Sequence, residues 1–209
     1  MSTILENTPA ANTQEALRRT VDRREFVSAL LARVPDALVV TGLGSASYDV
    51  YAAGERDRTF YLWGAMGGAV PVALGLALAR PDDPVVVITG DGEMLMGIGT
   101  LGSVAVQAPP NLTIVVLDNQ HFGETGMQRS HSGLGARLSG VAAGFGIQQV
   151  REVDDLADVE DIAAIVNGRA ATTFVQVHID TGEPPRALPP RDGVAVKNKV
   201  RAALGFDTF

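Results

Sequence analysis

The stretch VVVITGDGEMLMGIGTLGSVAVQAPPNLTIVVLDNQHFGETG, residues 85–126, decides the fold. It contains two runs of aliphatic residues, and each run is followed at once by a small polar cluster: GDGE begins at Gly90 and DNQ at Asp118. Continuous apolar runs bounded by Pro or Gly are typical of strands that are buried on both faces. The segment 95–108 between them has helical length, which predicts a strand–helix–strand unit with a parallel pairing.

The same alternation continues along the rest of the chain. Strands are predicted at 36–42, 58–64, 83–90, 111–119, 148–153 and 171–180, and helices at 19–34, 68–80, 95–108, 138–146, 154–168 and 193–204. Buried strands that alternate with helices predict a three-layer α/β/α fold with a parallel sheet. We divide the chain into a polar arm at 1–19, one domain at 20–181 and a proline-rich C-terminal extension at 182–209.

The composition excludes several classes of function. The net charge is -7, and the lysines are Lys197 and Lys199 alone, which argues against nucleic acid or an anionic membrane as partner. The absence of cysteine excludes disulfides and thiolate metal sites and fits a cytoplasmic protein. Residues 59–79 carry no charge, but four glycines and Pro71 favour a loop that enters a buried helix over a membrane span.

Both polar clusters follow the carboxyl ends of predicted parallel strands, where ligands bind in such sheets. Asp91 and Asn119 offer hard oxygen donors that suit Mg²⁺, and Gly90 and Gly92 allow a phosphate to approach the backbone. Each residue also has an ordinary explanation, since Asp often caps helices and Asn often makes turns. Their occurrence together at matched strand ends favours a magnesium-bridged diphosphate.

GDG followed by DN resembles the diphosphate-binding motif of thiamine diphosphate-dependent enzymes. The segments FYLWGAMGGAVPVALGLALA and DNQHFGETG are most similar to sulfopyruvate and phosphonopyruvate decarboxylases. The resemblance covers about residues 36–180. It implies the thiamine diphosphate-binding fold of the diphosphate (PP) domain, with thiamine diphosphate and Mg²⁺ as cofactors.

The resemblance also implies residue roles. Mg²⁺ would be bound by the side chains of Asp91 and Asn119 and by the carbonyl oxygen of His121. Met66 would support the bent cofactor, and the Gly64 carbonyl would accept from its amino group. The remaining residues expected at the diphosphate are Ser45, Ser47, Gly90, Gly92, Glu93, Met94, Gly123 and Glu124.

Members of this family activate the cofactor with a glutamate on a second, pyrimidine-binding (PYR) domain. Neither Glu93 nor Glu124 matches that residue, so we expect a partner chain of α type to supply it and this chain to be the β type of a hetero-oligomer. The implied reaction is decarboxylation of a 2-oxo acid, such as a 3-substituted pyruvate, to an aldehyde. Two alternatives stay open: a carboligase of acetolactate synthase type, and a non-catalytic cofactor-binding regulatory subunit.

The glycine-rich segment 121–137 is predicted to be a loop that closes over the site. Arg129, His131 and Arg137 are candidates for holding an anionic substrate, although surface charge explains them equally well. The decarboxylases usually have ETGGQ where this chain has ETGMQ, which affects the part nearest the substrate. His178 is expected to be structural.

A competing motif is GIGTLG at 97–102, which matches the dinucleotide pattern G-x-G-x-x-G. In a dinucleotide site these glycines directly follow the strand, whereas here the strand ends at Gly90. We interpret them as small residues that allow close helix packing.

Overall fold

The computed structural model describes residues 20–208, and the predicted N-terminal arm at 1–19 lies outside them. The strands are β1 (Leu38–Thr41), β2 (Thr59–Tyr61), β3 (Val85–Gly90), β4 (Leu112–Asp118), β5 (His121–Phe122), β6 (Gln128–Arg129), β7 (Gln149–Val153) and β8 (Thr173–His178). The α-helices are α1 (Arg23–Arg33), α2 (Ser45–Ala52), α3 (Ala69–Ala79), α4 (Asp91–Met96), α5 (Thr100–Gln107), α6 (Leu138–Gly144), α7 (Val159–Gly168) and α8 (Gly193–Ala203).

Six strands form one parallel sheet in the order β2-β1-β3-β4-β8-β7. The chain runs outward from β1 to β2 and then crosses back to β3 on the other side of β1. Such a reversal leaves a crevice at the carboxyl edge of the sheet. β3 and β4 are neighbours, with Gly90 opposite Leu117, so the residues that follow these strands emerge side by side.

Helices cover both faces of this sheet, which confirms the predicted three-layer architecture. Along β3, Val86 and Ile88 belong to a buried cluster shared with α1, α2 and α7. Val85 and Val87 belong to a second cluster shared with α3, α5 and α6. Because both faces of β3 are buried, its sequence is a continuous apolar run rather than an alternation of apolar and polar residues.

Two predicted segments differ from the structure. The predicted helix at 95–108 is two helices, because α4 begins directly after β3 at Asp91 and α5 begins only at Thr100. No helix was predicted between the strands at 36–42 and 58–64, but α2 begins there at Ser45. Its buried face includes Ser47 and Asp49, and these polar residues break the apolar period by which a helix is recognised.

The uncharged stretch 59–79 divides into β2, a loop and α3. The helix predicted to be buried is α3, and it is buried on one side only, since Val72 and Leu78 are 39% and 48% exposed. Within residues 20–208, no helix is both long and apolar enough to cross a membrane.

The C-terminal extension is attached to the domain. After β8, residues 181–192 have no regular secondary structure, and α8 then packs beside β2 with Val196 and Val200 buried. Lys199 Nζ lies 3.1 Å from Glu55 Oε1, at the end of the α2 segment.

Candidate functional site

A cavity of about 290 Å³ lies at the carboxyl edge of the sheet, where β1, β3 and β4 end. Its walls come from the loop after β1, the start of α4, the loop before α3 and the residues after β4. Many of the residues predicted from the sequence line it together: Ser45, Met66, Gly90, Asp91, Gly92, Glu93, Asn119, His121, Gly123 and Glu124.

Asp91 is the first residue of α4 and is 2% exposed. Its Oδ2 accepts hydrogen bonds from the hydroxyls of Ser130 and Ser132, the latter at 3.1 Å. The Ser132 hydroxyl also lies 2.7 Å from Oδ1 of Asp118, and because it carries one proton it donates to one of these two buried carboxylates at a time. Burial raises the pKa of Asp91 to about 6 and the charge of Asp118 adds to this, while the two serines oppose it. A bound cation would stabilise the charged form of this carboxyl group.

The two serines were not predicted from the sequence. They follow β6, and the Ser130 amide donates to the Gln120 carbonyl at 2.8 Å, which brings the segment back to the end of β4. The predicted loop at 121–137 is therefore a small hairpin, β5 with β6, followed by a return to the buried carboxylates. The sequence signal that could have identified these two serines is their small hydroxyl side chains, which occur shortly after the glycine-containing segment HFGETG at 121–126.

Asn119 and His121 form a tight turn at the end of β4. Asn119 Oδ1 accepts from the His121 amide at 2.9 Å, and His121 Nδ1 lies 2.8 Å from the Asn119 carbonyl oxygen. An amide oxygen has two lone pairs, so Asn119 Oδ1 keeps one for a metal ion. The ordinary turn role of Asn and the proposed ligand role are thus compatible.

The loop after β1 places Gly44 and Ser45 at the cavity. Gly44 has φ 71°, a left-handed conformation that favours glycine. Ser47 is fully buried below the cavity, where its hydroxyl donates to the Gly42 carbonyl and lies 3.2 Å from Thr41 Oγ1. The structure therefore gives Ser47 a role in shaping the loop and leaves only Ser45 at the cavity wall.

Glu93 has a side-chain contact that the sequence did not indicate. Its carboxylate is 5% exposed, and Oε2 accepts from the Leu43 amide at 3.3 Å. A Cβ atom at Gly42 would lie 1.9 Å from Glu93 Oε1, so a larger residue there would displace the Glu93 carboxylate. Burial raises the pKa of Glu93, and the carboxylate ties the start of α4 to the loop after β1.

Of the two residues that the resemblance assigns to the end of the cofactor away from its diphosphate, only one lines the cavity. Met66 lines it and is 44% exposed, whereas Gly64 lies just outside the wall with φ 76°. The Met94 side chain is 1% exposed and packs in the core, so any contact it makes with a ligand is through its backbone.

The three residues predicted to hold an anionic substrate, Arg129, His131 and Arg137, are not among those that line the cavity. Arg129 donates to the Gly133 carbonyl within its own segment, and the His131 ring meets the Phe122 ring edge-on at 6.4 Å. Arg137 Nη2 lies 3.0 Å from Glu152 Oε1, at the other edge of the sheet. His178 is buried with Nε2 3.2 Å from Glu152 Oε2, in agreement with its predicted structural role.

Arg23 is a cation at the cavity that was not predicted from the sequence. It is 6% exposed, and its Nη1 lies 3.1 Å from Oδ2 of the fully buried Asp49. Arg24 Nε also donates to Asp49, at 3.0 Å, yet burial still raises the pKa of that carboxyl group. A positively charged arginine in the first turn of a helix interacts unfavourably with the positive end of the helix dipole. The position of Arg23 at the start of α1 therefore indicated that this residue has another role.

Two glycines of GIGTLG, Gly97 and Gly102, lie at close packing contacts, whereas a Cβ at Gly99 would have no neighbour within 4 Å. A Cβ at Gly97 would lie 2.3 Å from the Gly67 carbonyl oxygen, so α4 closely approaches the loop before α3. A Cβ at Gly102 would lie 3.3 Å from the Phe145 ring. The close contacts of these two glycines are with the loop before α3 and with the side chain of Phe145, which follows α6.

The donors at the cavity suit Mg²⁺. Asp91, Asn119 and the His121 carbonyl are all oxygen ligands, the type that Mg²⁺ prefers. Across residues 20–208, no group of three or more His, Cys, Asp or Glu side chains could hold a metal ion by itself. A magnesium ion at this site would therefore take its other ligands from water and from a bound phosphate, which is its usual coordination.

Comparisons with known proteins identify the domain that contains this cavity. Residues 44–178 match the family model described as thiamine pyrophosphate enzyme, C-terminal TPP binding domain. The solved structure of benzoylformate decarboxylase from Polynucleobacter necessarius has a TM-score of 0.64 at 17% identity, over 83% of this chain and 36% of that chain. At that identity the likeness shows the fold alone.

Two curated relatives are more similar in sequence. Phosphonopyruvate decarboxylase of Streptomyces viridochromogenes is 39% identical over 186 residues, which cover 85% of this chain and 46% of that protein. Sulfopyruvate decarboxylase subunit beta of Methanothermobacter thermautotrophicus is 38% identical over 136 residues, 65% of this chain and 72% of that subunit. The chain thus spans about half the length of the first relative and most of the second. It belongs to the thiamine pyrophosphate enzymes and carries their C-terminal TPP-binding domain.

Proposed function

We propose that this chain is the diphosphate-binding, β-type subunit of a decarboxylase that depends on thiamine diphosphate and Mg²⁺. Its substrate is a 2-oxo acid, a 3-substituted pyruvate such as sulfopyruvate or phosphonopyruvate, which is converted to an aldehyde and CO₂. One observation carries the proposal: Asp91 and Asn119 follow two paired parallel strands and face one cavity.

In this proposal the carboxyl edge of the sheet holds the metal and the diphosphate. Asp91 and Asn119 bind Mg²⁺ through their side chains and His121 binds it through its carbonyl oxygen. Backbone amides at the start of α4 and in the turn after β5 donate to the phosphate oxygens, in a position where the helix N-terminus adds a favourable dipole. Those amides belong to Gly92, Glu93, Met94, Gly123 and Glu124.

Met66 and Gly64 are proposed to orient the other end of the cofactor. Thiamine diphosphate supplies an electron sink for the bond to the departing carboxylate. The chain's own contribution is to hold the cofactor ring against Met66 and to exclude water with Trp63 and Phe122, which also line the cavity.

A partner chain with a PYR domain is proposed to supply the activating glutamate. The two glutamates that line the cavity already have other partners, since Glu93 accepts from the Leu43 amide and Glu124 Oε2 lies 3.2 Å from Arg186 Nη2. Three of the sulfopyruvate decarboxylase relatives are named as β subunits, which supports a hetero-oligomer. Met66 and Met96, 44% and 65% exposed, offer apolar surface for such a partner.

The experiment is CO₂ release from sulfopyruvate, phosphonopyruvate, pyruvate and branched or aryl 2-oxo acids, with thiamine diphosphate and Mg²⁺. We expect turnover of a 3-substituted pyruvate that rises at least about 100-fold when the co-purifying partner is added, because a positioned acid–base group contributes that much. The partner alone is the control.

The products distinguish decarboxylation from its alternatives. An aldehyde in equal amount to CO₂ supports a decarboxylase. A 2-hydroxy-ketone formed from two carbonyl substrates would instead indicate a carboligase, and bound cofactor without any CO₂ would indicate a regulatory subunit.

A further inference from the structure

The segment 181–192, which lacks regular secondary structure, is held beside the cavity at two points. Near its start, Arg24 Nη1 donates to the Pro185 carbonyl at 2.8 Å. Near its end, the Pro190 carbonyl accepts from Trp63 Nε1 at 2.8 Å. Since Trp63 lines the cavity, these contacts fix the segment beside it.

Arg186 lies between these two points and reaches the cavity wall. Its Nη2 is 3.2 Å from Glu124 Oε2, and its guanidinium carbon is 5.7 Å from the centre of the Tyr48 ring. Glu124 and Tyr48 both line the cavity. The Arg186 side chain is nevertheless 60% exposed, so part of its guanidinium faces solvent and can meet a ligand.

Acidic side chains outnumber arginines among the residues that line the cavity, so a further cation would offset negative charge there. The acids among its lining residues are Asp91, Glu93 and Glu124, and the arginine among them, Arg23, is already paired with Asp49. A diphosphate bridged to one Mg²⁺ still carries negative charge. The planar fork of an arginine matches phosphate oxygens, and its five N–H donors allow it to keep one contact with Glu124.

We propose that Arg186, carried by the segment 181–192, is an additional ligand-binding residue that donates to the diphosphate held in the cavity. The inference rests on the proposed function, which places a diphosphate beside Asp91. It extends the site into the C-terminal extension, outside the family match at 44–178.

The test is the dissociation constant of thiamine diphosphate in the presence of Mg²⁺, read from the emission of Trp63. Trp63 is the single tryptophan of the chain and lies in the cavity wall. We expect Arg186→Met to raise the Kd for thiamine diphosphate about tenfold, as for one hydrogen bond to a charged group, and to leave the Kd for thiamine unchanged. Arg191→Met, an exposed arginine in the same segment, is the matched control and should keep the wild-type Kd.

A second substitution separates ligand binding from simple attachment of the segment. If Arg186 acts on the diphosphate, Glu124→Gln removes a competing carboxylate and leaves the Kd equal or lower, and Arg186→Met still weakens binding in the Glu124→Gln background. If Arg186 only holds the segment through Glu124, each single change raises the Kd and the double variant shows no additional loss. That second pattern overturns the proposal.

Titration of the wild-type chain distinguishes a failure of the Arg186 inference from a failure of the proposed function. A saturable response of the wild-type chain with equal Kd values for wild type and Arg186→Met contradicts only the role of Arg186. A Kd for thiamine that rises together with that for thiamine diphosphate also contradicts it, because the loss would not depend on the phosphates. Absence of any saturable response in the wild-type chain, both alone and with its partner, contradicts both proposals.

Discussion

Replacing Asp91 with asparagine is expected to lower decarboxylation by the reconstituted enzyme at least about a thousandfold. The substitution removes the only proposed anionic ligand of Mg²⁺, and a catalytic metal contributes several kcal/mol. The unfolding midpoint without ligand should stay equal or rise, because the change keeps the size of a 2% exposed side chain and removes a charge next to buried Asp118. Turnover and thermal unfolding on the same preparations measure both effects.

Asp57→Asn is the matched control, since Asp57 is exposed and distant from the carboxyl edge of the sheet. It should leave turnover and stability unchanged. Wild-type turnover in the Asp91→Asn variant would remove Asp91 from the metal site. A fall in its unfolding midpoint would show instead that the carboxylate is needed for the fold.

Replacing Gly97 with alanine should both destabilise the protein and weaken cofactor binding. The new Cβ would lie 2.3 Å from the Gly67 carbonyl oxygen and 2.9 Å from its Cα, and backbone cannot rotate away as a side chain can. Gly97 itself has φ -110°, which alanine adopts freely, so the effect is steric. We expect a loss of about 2–3 kcal/mol in the free energy of unfolding, as for overpacking elsewhere. The displaced loop carries Met66, so the Kd for thiamine diphosphate should rise as well.

Gly99 provides the comparison within the same GIGTLG motif. A Cβ there would have no neighbour within 4 Å, and φ is -63°. Gly99→Ala should therefore change the free energy of unfolding by less than about 0.5 kcal/mol. Denaturant unfolding measures both variants. Equal losses in ligand binding for Gly97→Ala and Gly99→Ala would contradict the packing role and favour a glycine-rich ligand loop.

The fold and the positions of the principal candidate ligands could be predicted because their signals are local. β3 and β4 are continuous apolar runs, and Asp91 and Asn119 follow them directly, so strand pairing alone brings the two residues together. The resemblance to a known family then added Met66 and His121, which the structure also places at the cavity.

Other parts of the site depend on contacts between distant segments, which no periodic pattern encodes. Ser130 and Ser132 reach Asp91 only because a short hairpin turns the chain back. Arg186 meets Glu124 across more than 60 residues of sequence. Conversely, Arg129 was placed near the substrate from its sequence position, but its side chain turns back to Gly133 in its own segment.

A magnesium-bridged diphosphate can be sought in the wild-type chain by titrating thiamine diphosphate against Trp63 emission, first with Mg²⁺ and then with an excess of chelator. Thiamine without phosphates is titrated in parallel. If Asp91 and Asn119 clamp a diphosphate through Mg²⁺, the response saturates only when both the metal and the phosphates are present. Binding that is unchanged by the chelator, or equally tight for thiamine, would contradict the magnesium–diphosphate site.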